Sequence, residues 1–302
     1  MPDHGLTSLL VLAIVIPLRF LLGRGLKARP RRRAASSSPR GDDDARGRFE
    51  PLRLVLHQAR YDLRAVLRDR RARAFTVAMP VILLVVLCGI LGDRGADGSG
   101  GSAAAYVPGI AALAVIASSF TNLVVSVVAQ REAGVLRRRR ATPVPAWVLV
   151  AGRVLAALAV STTVVAVVLA VGRVAFGVGV SPAAVPALLV ALVAGAVSFA
   201  CLGYALATVI RSADAAQPAV QALLLPLLIG SGVLVPASEL PANVHAVASI
   251  FPVERLADAF HRAYGHGAAP AYADLAVLLL WGAAGLAVAL RRFRFAPSAA
   301  AA

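Results

Sequence analysis

The chain has 302 residues, of which 59% are apolar, and its formal net charge is +16. An apolar share this far above the usual half excludes an ordinary soluble domain and indicates an integral membrane protein. The positive charge alone would suggest a nucleic-acid binder, but aromatic residues that could stack on bases are not interleaved with the basic runs, so we expect no nucleic acid among the partners. The expected fold class is an all-α polytopic membrane protein, because the apolar runs have the length of membrane-spanning helices.

Residues 1–48 divide into an apolar part and a basic part. The apolar run at 6–22 is of marginal length, is interrupted by Pro17 and Arg19, and is followed by a dense basic tract at 24–33. This order of charges suits an N-terminal membrane anchor over 1–23 with its N-terminus outside. Two alternatives stay open, namely that this region lies upstream of the true start or that it associates only peripherally with the membrane. Residues 24–48 are polar and punctuated by Pro and Gly, which predicts a flexible cytoplasmic linker.

The next segment, 50–73, has the pattern of an amphipathic helix. Apolar residues recur at spacings of three and four, arginines occupy the other faces, and Pro51 lies in the first turn. We expect this helix to lie in the headgroup plane with its apolar side toward the membrane. A soluble helix packed on a partner is the alternative.

Six apolar runs are candidates for membrane-spanning helices. They are residues 75–91, 106–129, 147–171, 183–210, 219–235 and 272–290. If these spans alternate across the membrane, 27 of the 31 Lys and Arg residues lie on one side. The positive-inside rule makes that side cytoplasmic, so the basic charge mainly reports topology. The tail at 295–302 is expected to be disordered.

The segment 236–271 differs from a plain outer loop. Apolar residues recur at helical spacing on both sides of the Phe251-Pro252 step, which predicts two short amphipathic helices. Such a hairpin would dip into the outer leaflet, where irregular backbone is tolerated only against protein or a water-filled cavity. We therefore expect a re-entrant hairpin that gates the outer end of a pathway, with an interfacial cap that has no gating role as the alternative. The candidate gate residues are Pro236, Glu239, Pro241, Phe251 and Pro252.

The sequence contains no recognisable pattern for catalysis or for a resident cofactor. Its one lysine, Lys27, is followed by Ala28, so the phosphate-binding loop of an ATPase is absent, and ATP with Mg would have to bind another subunit. His261 and His266 lie near two carboxylates, but no second ligand set at a fixed spacing accompanies them, which disfavours a metal site. No Asp or Glu lies well inside a predicted span, which disfavours a proton- or sodium-driven antiporter.

A short basic loop separates the second and third predicted spans. The loop and the start of the next span carry, in order, Arg131, Glu132, Ala133, Gly134, Arg137, Arg138, Arg139, Arg140, Thr142, Pro143, Gly152 and Arg153. This pattern resembles that of ABC-2 type transporter permeases, the daunorubicin-resistance-like drug exporters. Residues 231–260 are also similar to the stretch before the family's last span, with matching places at Gly232, Pro236, Pro241 and Pro252. The resemblance covers residues 49–294, which would form one permease domain, and the 48 residues before it depart from the pattern.

The resemblance implies six spans, cytoplasmic termini of this core, an amphipathic connecting helix and assembly with a second permease copy as a homo- or heterodimer. It also implies that the loop after the second span is a coupling helix seated on a separate ABC ATPase subunit, which would bind the ATP and Mg. Carried over to this chain, the ATPase-coupling residues are Glu132, Gly134, Arg137, Arg138, Arg139, Arg140, Thr142 and Pro143. From the residues alone, Arg131 beside Glu132 offers a charge pair at the membrane edge, and any single arginine of the run could instead be a plain topology signal.

These features together predict the permease subunit of an ATP-driven exporter in the cytoplasmic (plasma) membrane. The scarcity of charge inside the spans favours a hydrophobic or amphiphilic cargo such as a drug, an antibiotic or a lipid-like molecule. An ion-coupled secondary carrier and a non-transporting membrane assembly protein are the alternatives. High alanine and arginine usage with a single lysine indicates a GC-rich bacterial source.

Overall fold

The computed structural model describes residues 50–68, 70–91, 101–134, 146–231, 249–265 and 271–292. Within these ranges the chain forms helices joined by short turns and contains no strand. This confirms the expected all-α architecture of a polytopic membrane protein. The N-terminal anchor, the linker and the C-terminal tail predicted from the sequence lie outside the described residues.

The described part of the chain contains nine α-helices. In chain order they are α1 (Glu50–Arg68), α2 (Arg70–Leu91), α3 (Gly101–Ile116), α4 (Asn122–Glu132), α5 (Ala146–Phe176), α6 (Val185–Ala207), α7 (Ala213–Gly230), α8 (Pro252–Gly265) and α9 (Tyr272–Arg292). A π-helical turn, Ala117–Thr121, joins α3 to α4 without a break, and a 3₁₀ turn, Pro182–Ala184, leads into α6.

Four helical stretches in the described ranges are long and apolar enough to cross a membrane. They are Ala105–Glu132, Trp147–Phe176, Pro182–Ala207 and Tyr272–Arg291. Two shorter apolar helices, Thr76–Gly89 within α2 and Ala213–Ile229 within α7, overlap the first and fifth predicted spans, and α7 begins six residues before the predicted start at 219. Arginines at the start of α2 and polar residues in the first half of α7 limit their apolar length. That these two helices cross the membrane stays a prediction.

The helix α5 continues past the end of its apolar run. It extends through Arg173 to Phe176, whereas the sequence predicted an end at residue 171. The helix ends at Gly177, whose φ is +69° and whose amide donates to the Arg173 carbonyl oxygen over 3.1 Å. A glycine in this left-handed conformation is a common helix terminator because it has no side chain to clash.

The helix α6 is the centre of the bundle. It packs against α3, the π-helical turn, α4, α5, α8 and, most extensively, α9. Two glycines of α9 permit this approach: a Cβ on Gly282 would lie 2.9 Å from the Ser198 Cα, and a Cβ on Gly285 would lie 2.9 Å from the Leu202 nitrogen. Small residues at such an interface let two backbones approach closely, which is a main source of helix association in lipid.

The core lies where α3 and α4 meet α5 and α6. Ile110 and Val124 are fully buried there. Phe120, from the π-helical turn, packs edge to face on Phe199 of α6, with 6.2 Å between the ring centroids. Large apolar side chains such as Leu280 of α9 also point outward, as expected for helices that contact lipid.

Replacing Gly285 by leucine is expected to destabilise the protein, because the new side chain would collide with the α6 backbone. Overpacking of this kind costs about 1–3 kcal/mol or more, and the thermal unfolding midpoint of the detergent-purified chain measures it. The matched control is Ala284→Leu, since Ala284 is the exposed neighbour on the same helix. Equal midpoints for the two variants would show that α6 and α9 are not in backbone contact.

Candidate functional site

The helix α4 ends in a glycine-terminated turn at the start of the predicted coupling segment. The Ala133 amide donates to the Ala129 carbonyl oxygen over 2.9 Å, and the Gly134 amide donates to the Arg131 carbonyl oxygen over 3.1 Å. Gly134 has a φ of +68°, the left-handed conformation that closes many helices and that a side chain disfavours. The structure thus places Gly134 as the residue that terminates α4 after Glu132.

Arg131 and Glu132 hold the turn between α6 and α7. Arg131 donates from Nη1 to the Ala207 carbonyl oxygen over 2.9 Å and from Nη2 to the Ile210 carbonyl oxygen, at the end of α6. The Glu132 Oε2 accepts a hydrogen bond from the Ala213 amide over 2.6 Å, at the first residue of α7. The positive charge of Arg131 meets the negative, C-terminal end of the α6 dipole, and the negative charge of Glu132 meets the positive, N-terminal end of the α7 dipole. The sequence suggested a pair between these two charges, but in the described structure each of them binds the turn instead.

The rest of the predicted coupling segment lies outside the described residues. This applies to Arg137, Arg138, Arg139, Arg140, Thr142 and Pro143. Their role in transmission stays a prediction. The described structure shows the two helices that flank the segment, α4 and α5, and the contacts that anchor them.

A second set of polar contacts ties the start of α5 to α1 and α4. Arg153, only 8% exposed, donates from Nη2 to the Gln130 Oε1 over 2.5 Å. Its Nε lies 3.7 Å from the Asp62 Oδ2, and the Gln58 side-chain amide donates to the same oxygen over 2.8 Å. Because both charges are buried, each depends on the other for stabilisation. Gln130 directly precedes Arg131, so the two sets of contacts meet at the end of α4.

The helix α1 is packed on α5. A Cβ on Gly152 would lie 2.7 Å from the Gln58 Cβ, so the two helices approach closely at this point. Val55 is 6% exposed on the packed side, whereas Leu52 and Leu56 are 59% and 49% exposed. The sequence predicted that the whole apolar side of this helix faces the membrane. Part of that side is instead buried against α5.

Polar side chains connect the π-helical turn to neighbouring helices within the bundle. The Oγ atoms of Ser118 and Ser161 are hydrogen-bonded at 2.7 Å, which joins the turn to α5. The Asn122 side-chain amide donates to the Thr76 Oγ1 over 2.9 Å, which joins α4 to α2. Side-chain hydrogen bonds of this kind hold helices together where lipid replaces water. A π-helical turn inside a spanning helix is also frequent at functional sites.

The second half of the predicted outer hairpin is α8, which is buried at the opposite end of the bundle from Glu132. Pro252 is its first residue, and Leu256 is fully buried where α8 meets α3, α6 and α9. A Cβ on Gly195 of α6 would lie 2.5 Å from the Leu256 Cδ1, so α8 is seated closely on α6. Phe251 stacks on Trp281 of α9, with 6.1 Å between the ring centroids.

The first half of the predicted hairpin lies outside the described residues, together with Pro236, Glu239 and Pro241. The predicted break at Phe251-Pro252 coincides with the start of α8. The gating role of all five residues stays a prediction.

Asp274 joins α9 to α8 at this outer end. Its carboxylate is fully buried in the first turn of α9, with Oδ1 3.0 Å from the Arg255 Nη1 and Oδ2 3.4 Å from the Arg262 Nη1. Arg255 also donates from Nε to the Ser249 carbonyl oxygen over 2.7 Å. Two arginines of one helix therefore share one buried carboxylate of the next.

His261 connects α8 to the start of the first long spanning helix. Its Nδ1 lies 2.8 Å from the Ala257 carbonyl oxygen, and its Nε2 lies 2.9 Å from the Ala105 carbonyl oxygen. Among the residues that the structure describes, no group of three His, Cys, Asp or Glu side chains could hold a metal ion. His266 lies outside the described ranges.

Asp258 lies in the same charged cluster on α8. Burial raises the pKa of Asp258 above the ordinary carboxyl value, and the negative charge of Asp274 raises it further. The positive charges of Arg262, His261 and Arg255 act in the opposite direction without cancelling the rise. The ionised form of Asp258 is therefore less stable in the folded state than in the unfolded chain.

A family model described as ABC-2 family transporter protein matches residues 93–291 of the 302. The chain belongs to the ABC-2 transporter family. The matched range includes α3 to α9 and hence the contacts of Arg131 and Glu132, but it does not include α1 and α2. A comparison with curated proteins finds no match.

Family membership and the apolar helices make the chain a multi-pass membrane protein and the permease of a transport system. Permeases of this family are membrane transport subunits and are not themselves catalytic. Membership implies that the chain functions together with an ABC ATPase subunit. The ABC-2 permease identity implied by the motif pattern is thus confirmed at the level of the family.

The sequence motif includes Arg153 but does not indicate its partners. The sequence could have indicated Asp62 as the partner of a buried cation. It lies seven residues from Val55 on the packed side of α1, and a buried carboxylate needs a partner. Arg255 and Arg262 are likewise seven residues apart on one face of α8. Their convergence on Asp274 has no local signal, since that carboxylate belongs to another helix.

Replacing Arg153 by methionine is expected to destabilise the protein, because Asp62 would lose its ion pair with Arg153 while its charge stays buried. Breaking a buried pair costs about 3–5 kcal/mol, and the thermal unfolding midpoint in detergent measures the loss. Arg173→Met, at an exposed arginine of the same helix, is the matched control and should change stability by less than about 0.5 kcal/mol. Adding Asp62→Asn to Arg153→Met should restore part of the loss. A double variant no more stable than the single one would contradict the pairing.

Asp258→Asn is expected to stabilise the protein at neutral pH. Because the pKa of Asp258 is raised on folding, its contribution to stability is present below the ordinary value of 3.8 and is lost as the pH rises through the folded-state value. The gain in unfolding midpoint over the wild type should therefore be largest above that raised pKa and shrink as the pH approaches 3.8. Asp214→Asn, at an exposed position, is the control without this trend. A variant less stable than the wild type at neutral pH would show that attraction to the arginines outweighs burial.

Proposed function

We propose that the chain is the permease subunit of an ATP-driven exporter of the daunorubicin-resistance-like kind, moving a hydrophobic or amphiphilic molecule out of the cell. A separate ABC ATPase subunit would bind the ATP and Mg, and a second permease copy, identical or related, would complete the pathway. The cargo class is supported by the scarcity of charge in the spanning helices. In Ala105–Glu132, for example, the charged residues are confined to the last two positions.

The contacts of Arg131 and Glu132 carry this proposal. They fasten the end of α4, where the predicted coupling segment begins, to the end of α6 and the start of α7. An ATPase that displaces this segment would therefore move the α6–α7 turn directly. Movement of packed helices as rigid units is one of the common ways in which proteins switch between two states.

The contacts of Arg153 extend the same unit to α5 and α1. Through Gln130 and Asp62, the helices α4, α5 and α1 are joined by hydrogen bonds and one buried ion pair. At the outer end, α8 is seated on α6 and tied to α9 through Asp274. A tilt of α6 against α9 would change the contact surface on which α8 packs. Closure of the ATPase at the Glu132 end would therefore open the bundle at the α8 end. Substrate would pass between two such permease subunits.

The charge contacts at the α6–α7 turn can be tested by Glu132→Ala and Arg131→Ala in a complex of the full chain with an ABC ATPase subunit that co-purifies with it. The purified complex is reconstituted into proteoliposomes, and the flux of a fluorescent amphiphile is measured together with ATP hydrolysis. Loss of a helix-end contact costs about 1 kcal/mol, so we expect the complex to form and the flux per ATP to fall about fivefold or more. Asp214→Ala and Arg211→Ala remove exposed charges from the same turn and should leave the ratio unchanged.

Other outcomes separate the rival functions. Flux that persists without the ATPase and follows an imposed ion gradient would identify a secondary carrier. An absence of ATP-driven flux in the wild type, with variants that change only protein abundance, would identify an assembly protein. An unchanged ratio in Glu132→Ala and Arg131→Ala would remove the coupling role from these two residues.

A further inference from the structure

The helix α1 has a packed side and an opposite side of exposed arginines. Val55 and Asp62 are buried on the side that meets α5. On the opposite side of α1 lie four arginines. They are spaced seven, four and four residues apart, which places them on one face of an α-helix. This set, the α1 arginine face, consists of Arg53, Arg60, Arg64 and Arg68, and all four are exposed.

Exposed apolar side chains border the α1 arginine face. Leu52 and Leu56 are 59% and 49% exposed along one edge, and Tyr61 is 56% exposed along the other. Apolar groups beside arginines at helical spacing are the arrangement of a helix that meets a bilayer surface, where the apolar groups enter the lipid and the charges stay among the headgroups.

The contacts of α1 place it at the level where the spanning helices end. Gln58 packs on Gly152, and the adjacent Arg153 bonds to Gln130, two residues before α4 ends at Glu132. The hydrogen bonds of the two residues after Gln130 bring the end of α6 and the start of α7 to this level as well. Phospholipid headgroups surround a spanning protein at the ends of its apolar helices. The α1 arginine face therefore lies at headgroup level.

We propose that the α1 arginine face binds the phosphates of anionic phospholipids in the cytoplasmic leaflet. Guanidinium groups bind phosphate oxygens in a bidentate manner. A headgroup with net negative charge is attracted to each arginine near the surface, whereas a zwitterionic headgroup is not. The bordering leucines favour lipid over an acidic protein surface, because they would enter the acyl region beside those headgroups. This inference goes beyond the exporter function and does not depend on it.

The test measures which lipids the full chain retains from nanodiscs containing equal amounts of phosphatidylcholine and phosphatidylglycerol. Native mass spectrometry counts each lipid bound to the protein after partial delipidation. The wild type should retain phosphatidylglycerol in preference. Each arginine of the α1 arginine face that contacts a bound headgroup contributes about fivefold to that affinity, so Arg60→Gln with Arg64→Gln should lower the preference by about 25-fold.

Two control variants make the test specific to the face. Arg60→Lys with Arg64→Lys keeps the charge and should retain most of the preference. Arg211→Gln with Arg291→Gln removes the same charge from exposed positions at the same end of the bundle and should leave the preference intact. Equal losses in the two glutamine pairs would overturn the proposal, because they would show a non-local effect of net charge.

Two further outcomes would assign the face to another ligand. Loss of ATPase co-purification in Arg60→Gln with Arg64→Gln, at an unchanged lipid preference, would make the face a docking surface for an acidic protein. Abolition of the preference by added inorganic phosphate would make it a site for the free ion. Either result would overturn the assignment to phospholipid.

Discussion

Polar backbone groups at helix ends need hydrogen-bond partners that lipid cannot supply, and the described bundle is arranged around that need. Arg131 binds carbonyl oxygens at the end of α6, and Glu132 binds the first amide of α7. Gly134 closes α4 itself. Residues 131–134 therefore form hydrogen bonds with backbone groups at the ends of three helices. These bonds fix the position of α4 relative to α6 and α7.

At the outer end of the bundle a carboxylate again lies at the start of a helix. Asp274 lies in the first turn of α9, where the helix dipole favours an anion, and it draws Arg255 and Arg262 of α8 toward it. Between the two ends several helix contacts are made by small residues, such as Gly285 of α9 against the α6 backbone and Gly195 of α6 against α8. Such contacts are close but carry no directional bond, so helices fastened at their ends can tilt against one another as units.

Apolar run length was sufficient to predict the helical class and the positions of the four long apolar helices, whereas the sidedness inferred from arginine placement stays a prediction. Helix ends were less predictable, because capping depends on other helices. The α5 helix passes Arg173 and stops at Gly177, which no apolar run marks. The motif around Glu132 predicted a functional position, but not that Glu132 would bind Ala213, a residue far away in sequence. Amphipathicity predicted α1, but it placed the apolar side against the membrane and did not predict that α5 would cover part of it.

The buried charge of Arg153 shows where the folded unit extends beyond the family match. The match begins at residue 93, yet Arg153, inside it, forms an ion pair with Asp62 of α1, which lies before it. Without α1, Arg153 would lose its ion pair with Asp62, and Gly152 would lose its close contact with Gln58. An arginine held in a protein interior without its carboxylate is strongly unfavourable. The helix α1 therefore belongs to the same structural unit as the matched helices, and any movement of α5 at Arg153 carries α1 with it.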